Sequence, residues 1–341
     1  MLLYDDFGAG RHRESSLVRH ALGSTHDEAL VAGLAGGIGF MYFVFEYGGR
    51  PPLLTIVAQA HPDPWVRSAL DRLRVPHEVF HSAGPRWDRV HAALDAGRPV
   101  FCTVDRSGLP WHGPQDEMAG ADPYTVVVAG YEGDTLYVED GARTPYRIPV
   151  EVFGAAWSGH RKGRHEMIVP TGPAAGPPDV EGALAATAAR LTGPVLGNRF
   201  DVNFGFSGME KLAAQLRDTR TKAGWERRFS APDAFLAGTR RLYACLEEEW
   251  TAPGATRPLY ADFLDLDLVA RPEAAGLFRE SAGHWSRLAE LARAAARDAG
   301  PDGDTDPTTR RALFDEFATL VGHALALERR AVTLLGAGRT P

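Results

Sequence analysis

Cysteine is scarce here. The 341-residue chain has two, Cys102 and Cys245, far apart in sequence, which excludes a disulfide framework and the paired-cysteine motifs of a structural zinc site. Lysine is scarcer than arginine: 3 (Lys162, Lys211, Lys222) against 34. That bias reflects a GC-rich genome more than a function. Despite the arginines the net charge is −7, which argues against a nucleic-acid partner, since phosphate backbones demand concentrated positive charge. His12, His20 and His26 lack metal-ligand spacing and no zincin motif is present, so no metal is expected. No cofactor is expected either. Gly33, Gly36, Gly37 and Gly39 follow a helical pattern with no strand before them. Close backbone packing therefore explains them better than a dinucleotide fingerprint.

Long apolar runs are also missing. Residues 29–45 form a 17-residue uncharged stretch, at the lower edge of a membrane span. Its four glycines and its abrupt end at Glu46 read instead as a buried helix followed by a strand. The start, Met-Leu-Leu-Tyr-Asp-Asp-Phe, is acidic and has none of the basic character of a signal peptide. The expectation is a cytoplasmic, soluble protein with no membrane partner.

What is present is globular: 44% apolar and 24% charged, with length for two domains. Residues 170–178 hold four prolines and two glycines and read as a linker. Before them, short β-rich runs alternate with helices. Strands are predicted at 53–58, 99–104, 124–129, 135–138, 147–150 and 166–169, and helices at 64–73 and 87–96. Early helices followed by an antiparallel sheet make an α+β arrangement. After the linker, strand signals vanish. Long helical patterns run over 266–299, with Trp285, Leu288 and Ala292 on the core face. A second covers 306–336, with Leu313, Phe317, Leu320, Ala324, Leu327, Ala331 and Leu334 on its apolar stripe. The expected domains are 1–170, a linker at 171–178, and a helical domain at 179–341.

Two N-terminal segments carry a resemblance. One is Gly10-Arg11-His12-Arg13-Glu14-Ser15-Ser16-Leu17. The other runs from Asp27-Glu28 through Gly33-Leu34-Ala35-Gly36-Gly37-Ile38-Gly39-Phe40-Met41-Tyr42. Together they resemble the N-terminal domain of the butirosin-biosynthesis acyltransferase family. That papain-like cysteine fold has a Gly-x-His-Cys-Glu start before a Gly-Leu-Gly-x-Gly-Leu-Gly-Phe-x-Tyr run. Downstream, Arg257-Pro-Leu-Tyr260-Ala-Asp262-Phe263-Leu264 and His284-Trp285 are similar to that family's helical domain. The resemblance implies a papain-like domain with an antiparallel sheet, then an all-α domain. It puts Arg13 where the family has its nucleophilic cysteine, and Tyr124 where it has its histidine. Asp140 or Glu139 falls at the orienting acid.

The remaining candidates follow from residue chemistry. Ser15, next to His12, is either a displaced nucleophile or a helix cap. Arg13 opposes the helix dipole, so it needs a partner: Glu14, an aspartate, or an anionic ligand held in bidentate fashion. Glu28 either helps bind substrate or starts a helix. Asp105 and His112 flank a Trp111-His-Gly-Pro loop expected to overhang the cleft. Neither cysteine stands where it could be activated. The side chains of Arg13, Tyr124 and Asp140 are expected to converge.

Three functions are compatible with this reading. The first is specialised-metabolite (antibiotic) biosynthesis by acyl or aminoacyl transfer without a covalent enzyme intermediate. The second is a repurposed cyclase, isomerase or lyase using Tyr124, His12 and Asp140. The third is a non-catalytic binding or scaffold protein. The expected partner is a small-molecule or carrier-protein-bound substrate, and a homodimer is compatible.

Overall fold

The computed structural model describes residues 1–61, 64–113, 120, 123–299, 303 and 305–336. Pro114 of the Trp111-His-Gly-Pro loop lies outside them. The chain forms two compact units, Met1–Val31 with Val66–Asp179, and Ala32–Trp65 with Val180–Pro341. Residues 32–65 were expected in the N-terminal domain and group instead with the helices. The chain therefore passes between units three times.

In order, the first half runs α1 (Arg13–Ala21), α2 (Glu28–Leu34), β1 (Ile38–Phe45), β2 (Leu53–Gln59), α3 (Trp65–Arg72) and β3 (His77–Phe80). Then come α4 (Trp87–Asp95), β4 (Val100–Asp105), β5 (Pro123–Glu132), β6 (Thr135–Glu139), β7 (Tyr146–Pro149), α5 (Val150–Gly159) and β8 (Met167–Pro170). The first unit is built on a six-stranded antiparallel sheet of order β3-β8-β4-β5-β6-β7. Its central strands are near-continuous apolar runs, Val-Phe-Cys-Thr-Val and Tyr-Thr-Val-Val-Val-Ala, and almost every residue in them is buried. Strands of that composition need cover. α1 packs on β5, α5 on β4, and α4 on both. The architecture is α+β, with α1 packed against β5 in the middle of an antiparallel sheet.

The proline-rich segment at 171–178 is not a loose spacer. Thr171, Ala175 and Asp179 each donate a backbone N–H, to the carbonyls of Pro76, Arg74 and Arg72, at 2.8 Å in every case.

The second unit contains α6 (Val180–Thr192), α7 (Gly205–Arg217), α8 (Trp225–Arg228) and α9 (Pro232–Glu247). These are followed by α10 (Arg257–Asp265), α11 (Pro272–Asp298) and α12 (Pro307–Leu335). The antiparallel β1-β2 hairpin lies against α6, α7 and α9, and α11 packs on α12. No helix among the described residues is long and apolar enough to cross a membrane. The predicted apolar stripe of α12 is shifted by one residue at three places. Phe314, Val321 and Leu335 are buried, whereas Leu313, Leu320 and Leu334 are only partly so.

The glycine run and the Arg-x-x-Tyr-x-x-Phe-Leu signature are two halves of one interlock inside this unit. A Cβ on Gly33 would lie 2.1 Å from the Phe263 ring, and one on Gly37 2.3 Å from the Tyr260 ring. Gly37 also has φ +63°. Gly37→Ala should cost roughly 1–3 kcal/mol in overpacking, and about 1–2 kcal/mol more for a left-handed backbone with a Cβ. Urea unfolding measures this; a midpoint equal to the parent's would rule out the interlock.

Candidate functional site

α1 begins where its sequence can be capped. His12 is the N-cap, its ring accepting from the Ser15 N–H. The preceding backbone is fixed by Glu28, which accepts from the His12 N–H at 2.9 Å. Arg13 is thus the first helical residue, in the position that a helix dipole would make favourable for an anion. Its side chain leaves the helix and crosses to the end of β6. Nε donates to Asp140 Oδ1 at 2.6 Å, Nη2 pairs with the same carboxylate and donates to the Thr125 carbonyl, and Nη1 lies 3.5 Å from Glu14. The guanidinium also sits 3.9 Å above the Tyr124 ring centroid, within cation–π range.

Asp140 is the hub. Besides Arg13 it accepts from Trp111 Nε1 at 2.6 Å and lies 2.7 Å from His112 Nε2, with its side chain fully buried. Burial alone would raise its pKa. The hydrogen bond with His112, the charge of Arg13 and the Trp111 N–H outweigh that and hold the carboxyl below its usual range. Burial pushes the Tyr124 phenol well above its ordinary value, against the pull of Arg13 and with Asp140 adding to the rise. Tyr124 is therefore a neutral hydroxyl. The Trp111–His112 turn is held by stacking of Trp111 on Tyr146, ring centroids 4.1 Å apart and planes 4° from parallel. His112 meets Tyr124 edge-on at 4.9 Å.

Arg13, Tyr124 and Asp140 therefore converge as expected, and His112 joins them. Of the two readings of Arg13, the structure has the internal ion pair. Glu14 carries the network further, since its other carboxylate oxygen is 3.3 Å from His12 Nε2 and His12 Nδ1 is 2.7 Å from Ser15 Oγ. Ser15 is wholly buried, the third residue of α1, and its hydroxyl is engaged by the ring of the N-cap His12. That argues against Ser15 as nucleophile. Glu28 and Asp105 were expected to contact substrate, but both carboxylates serve the backbone. Glu28 also takes Arg11 and Ser16. Asp105 accepts from the Ser107 and Gly120 N–H groups at 3.2 and 2.7 Å. Trp111 and Arg106, whose guanidinium lies 5.1 Å from the Tyr124 centroid, were not singled out from sequence. The tryptophan beside His112 was the available signal.

Both thiols are remote from this network. Cys102 lies in β4 and Cys245 in α9, and both are fully buried. Burial raises both pKa values, helped at Cys102 by Glu166 and opposed at Cys245 by Arg241. A thiolate is the reactive form, and neither site favours one. Among the described residues no cluster of three or more His, Cys, Asp or Glu could hold a metal ion.

The family model described as "Butirosin biosynthesis protein H, N-terminal" matches residues 12–141, which include Arg13, His112, Tyr124 and Asp140. The chain is also similar to a crystal structure of a C39-like peptidase from Bacillus anthracis. The two share 16% identity, with 50% of this chain and 92% of the other covered and a TM-score of 0.33. No curated protein matches the chain. The model "Domain of unknown function (DUF4872)" matches residues 160–335. More than half of the sequence lies in that match, and the chain belongs to this family, its N-terminal part matching the butirosin-biosynthesis-protein-H model.

Proposed function

We propose that the protein is a cytoplasmic enzyme of specialised-metabolite biosynthesis that transfers an acyl or aminoacyl group without forming an acyl-enzyme. The observation that carries this reading is the His112–Asp140 pair, 2.7 Å between Nε2 and Oδ2. A carboxylate facing Nε2 fixes the tautomer with the proton there, leaving the lone pair on Nδ1. Nδ1 has no hydrogen-bond partner among the described residues. The imidazole side chain is partly exposed. It can therefore act as general base.

In the proposed step, the amine nitrogen of an acceptor attacks the carbonyl carbon of an acyl thioester, free or carrier-bound. His112 Nδ1 takes the amine proton, the C–S bond breaks, and the proton passes to the departing thiolate. The products are an amide and a thiol. Positioning and proton transfer supply the catalysis, with the neutral Tyr124 hydroxyl as hydrogen-bond donor and Arg13 holding Asp140 in place.

The test is amide formation from a panel of acyl thioesters and amines, followed by mass spectrometry. His112→Ala should lose about 10²–10⁴-fold in rate at a temperature where its circular dichroism shows it folded. The Cys102→Ala/Cys245→Ala variant should keep the parent rate. Equal rates in His112→Ala and the parent would sink the proposal. A parent without turnover on any pair would favour the binding or scaffold reading, for which the ion-paired Arg13 at the nucleophile position is the supporting observation.

A further inference from the structure

The second unit has a concavity of its own, remote in sequence from the His112–Asp140 network. It is a groove of about 650 Å³ between α9 and α11. From α9 come Arg240, Tyr243 and Ala244, and from α11 Arg293, Ala296 and Arg297. The spacings are three and four residues, so each set lies on one face of its helix. Three arginines thus line one groove together with two alanines.

The charge of this cluster is not neutralised by ion pairs, whereas several exposed arginines of the unit find carboxylates: Arg217 with Asp315 at 2.8 Å, Arg279 with Asp262 at 2.8 Å, Arg329 with Glu210 at 2.5 Å. Arg240 and Arg297 make no ion pair or side-chain hydrogen bond among the described residues, and Arg293 donates only to the Tyr243 hydroxyl, at 3.1 Å. Three glutamates end α9, but two are turned away. Glu247 accepts from the Gly254 N–H and Ser286, and Glu249 pairs with Arg241. Only Glu248 lines the groove. In a chain of net charge −7, three arginines against one carboxylate in a concavity is a local reversal of sign.

We infer that this groove binds a small organic phosphate. Guanidinium groups match phosphate oxygens in bidentate geometry. The volume is that of a small-molecule site, and such sites pair an apolar lining with a few convergent polar groups. Arg240 and Arg297 hold the phosphate oxygens. Tyr243, fixed by Arg293 whose guanidinium lies 5.0 Å from its ring centroid, lies with Ala244 and Ala296 against the organic part.

Calorimetric titration of the full chain at low ionic strength, with phenyl phosphate and inorganic phosphate as probes, tests this. One-to-one saturable binding is expected, tighter for phenyl phosphate. It should weaken about tenfold or more, an order of magnitude in Kd, in Arg240→Gln/Arg297→Gln. The Arg217→Gln/Arg329→Gln variant changes the net charge equally on exposed sites outside the groove and should bind as the parent does. Absence of saturable binding, equal weakening in both variants, or equal affinity for the two probes would each overturn the inference. Melting temperatures of both variants establish that they fold.

Discussion

Glu328→Ala should destabilise the protein by about 3–5 kcal/mol, the usual consequence of leaving one member of a buried ion pair alone. Arg257 and Glu328 are both fully buried, joined by Nε–Oε1 and Nη2–Oε2 contacts of 2.8 and 2.9 Å. Glu328 Oε1 also accepts from Ser281 Oγ at 2.7 Å and Trp285 Nε1 at 2.9 Å, while Arg257 Nη1 donates to the Ala58 and Ala255 carbonyls. Truncating the glutamate therefore strands a cation and two neutral donors where water does not reach. The apolar double variant Arg257→Met/Glu328→Leu should recover part of the loss, since the charges are then absent together. Urea-unfolding midpoints decide it. A single variant within about 1 kcal/mol of the parent, the scale of an exposed pair, would show that the pair is not sealed.

Asp140→Ala is the second large effect expected, also about 3–5 kcal/mol, because it removes the buried carboxylate shared by the Arg13 guanidinium and the Trp111 and His112 donors. Acid stability gives an independent readout. The folded carboxyl titrates below its unfolded value of about 3.9. Its stabilisation is present above that pH and is lost as pH falls through the folded pKa. Asp140→Asn, which keeps the shape, should therefore show a shallower loss of stability below about pH 4 than the parent. Identical acid limbs would mean that the hydrogen bonds and the Arg13 pair do not favour the ionised form.

Legibility in the sequence followed periodicity. Strands β2, β4, β5, β6 and β8, and helices α3, α4, α11 and α12, fall where their apolar spacing put them, within one or two residues for most and six at the start of α11. The four-residue strand β3 has too short a run, His77-Glu-Val-Phe, to show alternation. α5 begins on Val150-Glu-Val-Phe and its mostly apolar sequence gives little one-sided pattern. The buried stripe of α12 also takes in Glu328, a charged residue that apolar spacing does not count, and only the Arg257 pairing, 71 residues away, places it inside. At the site, convergence of Arg13, Tyr124 and Asp140 was readable because it depends on backbone positions. His112 as Asp140's partner was not, because that contact is made by a turn whose direction depends on the Trp111–Tyr146 stack.

The three chain passages have a bearing on how such a protein can be inherited or rebuilt. The helical unit takes residues 32–65, including the glycines that receive Tyr260 and Phe263, from a stretch of gene far upstream of its helices. A recombination event at the proline-rich segment would deliver α6 to α12 without that hairpin, and with Tyr260 and Phe263 facing nothing. Swapping the downstream half between family members would likewise join rings and glycines that were never selected together. Exchange that respects this topology has to move the two segments jointly, so the gene behaves as one heritable block even though its product is built as two bodies.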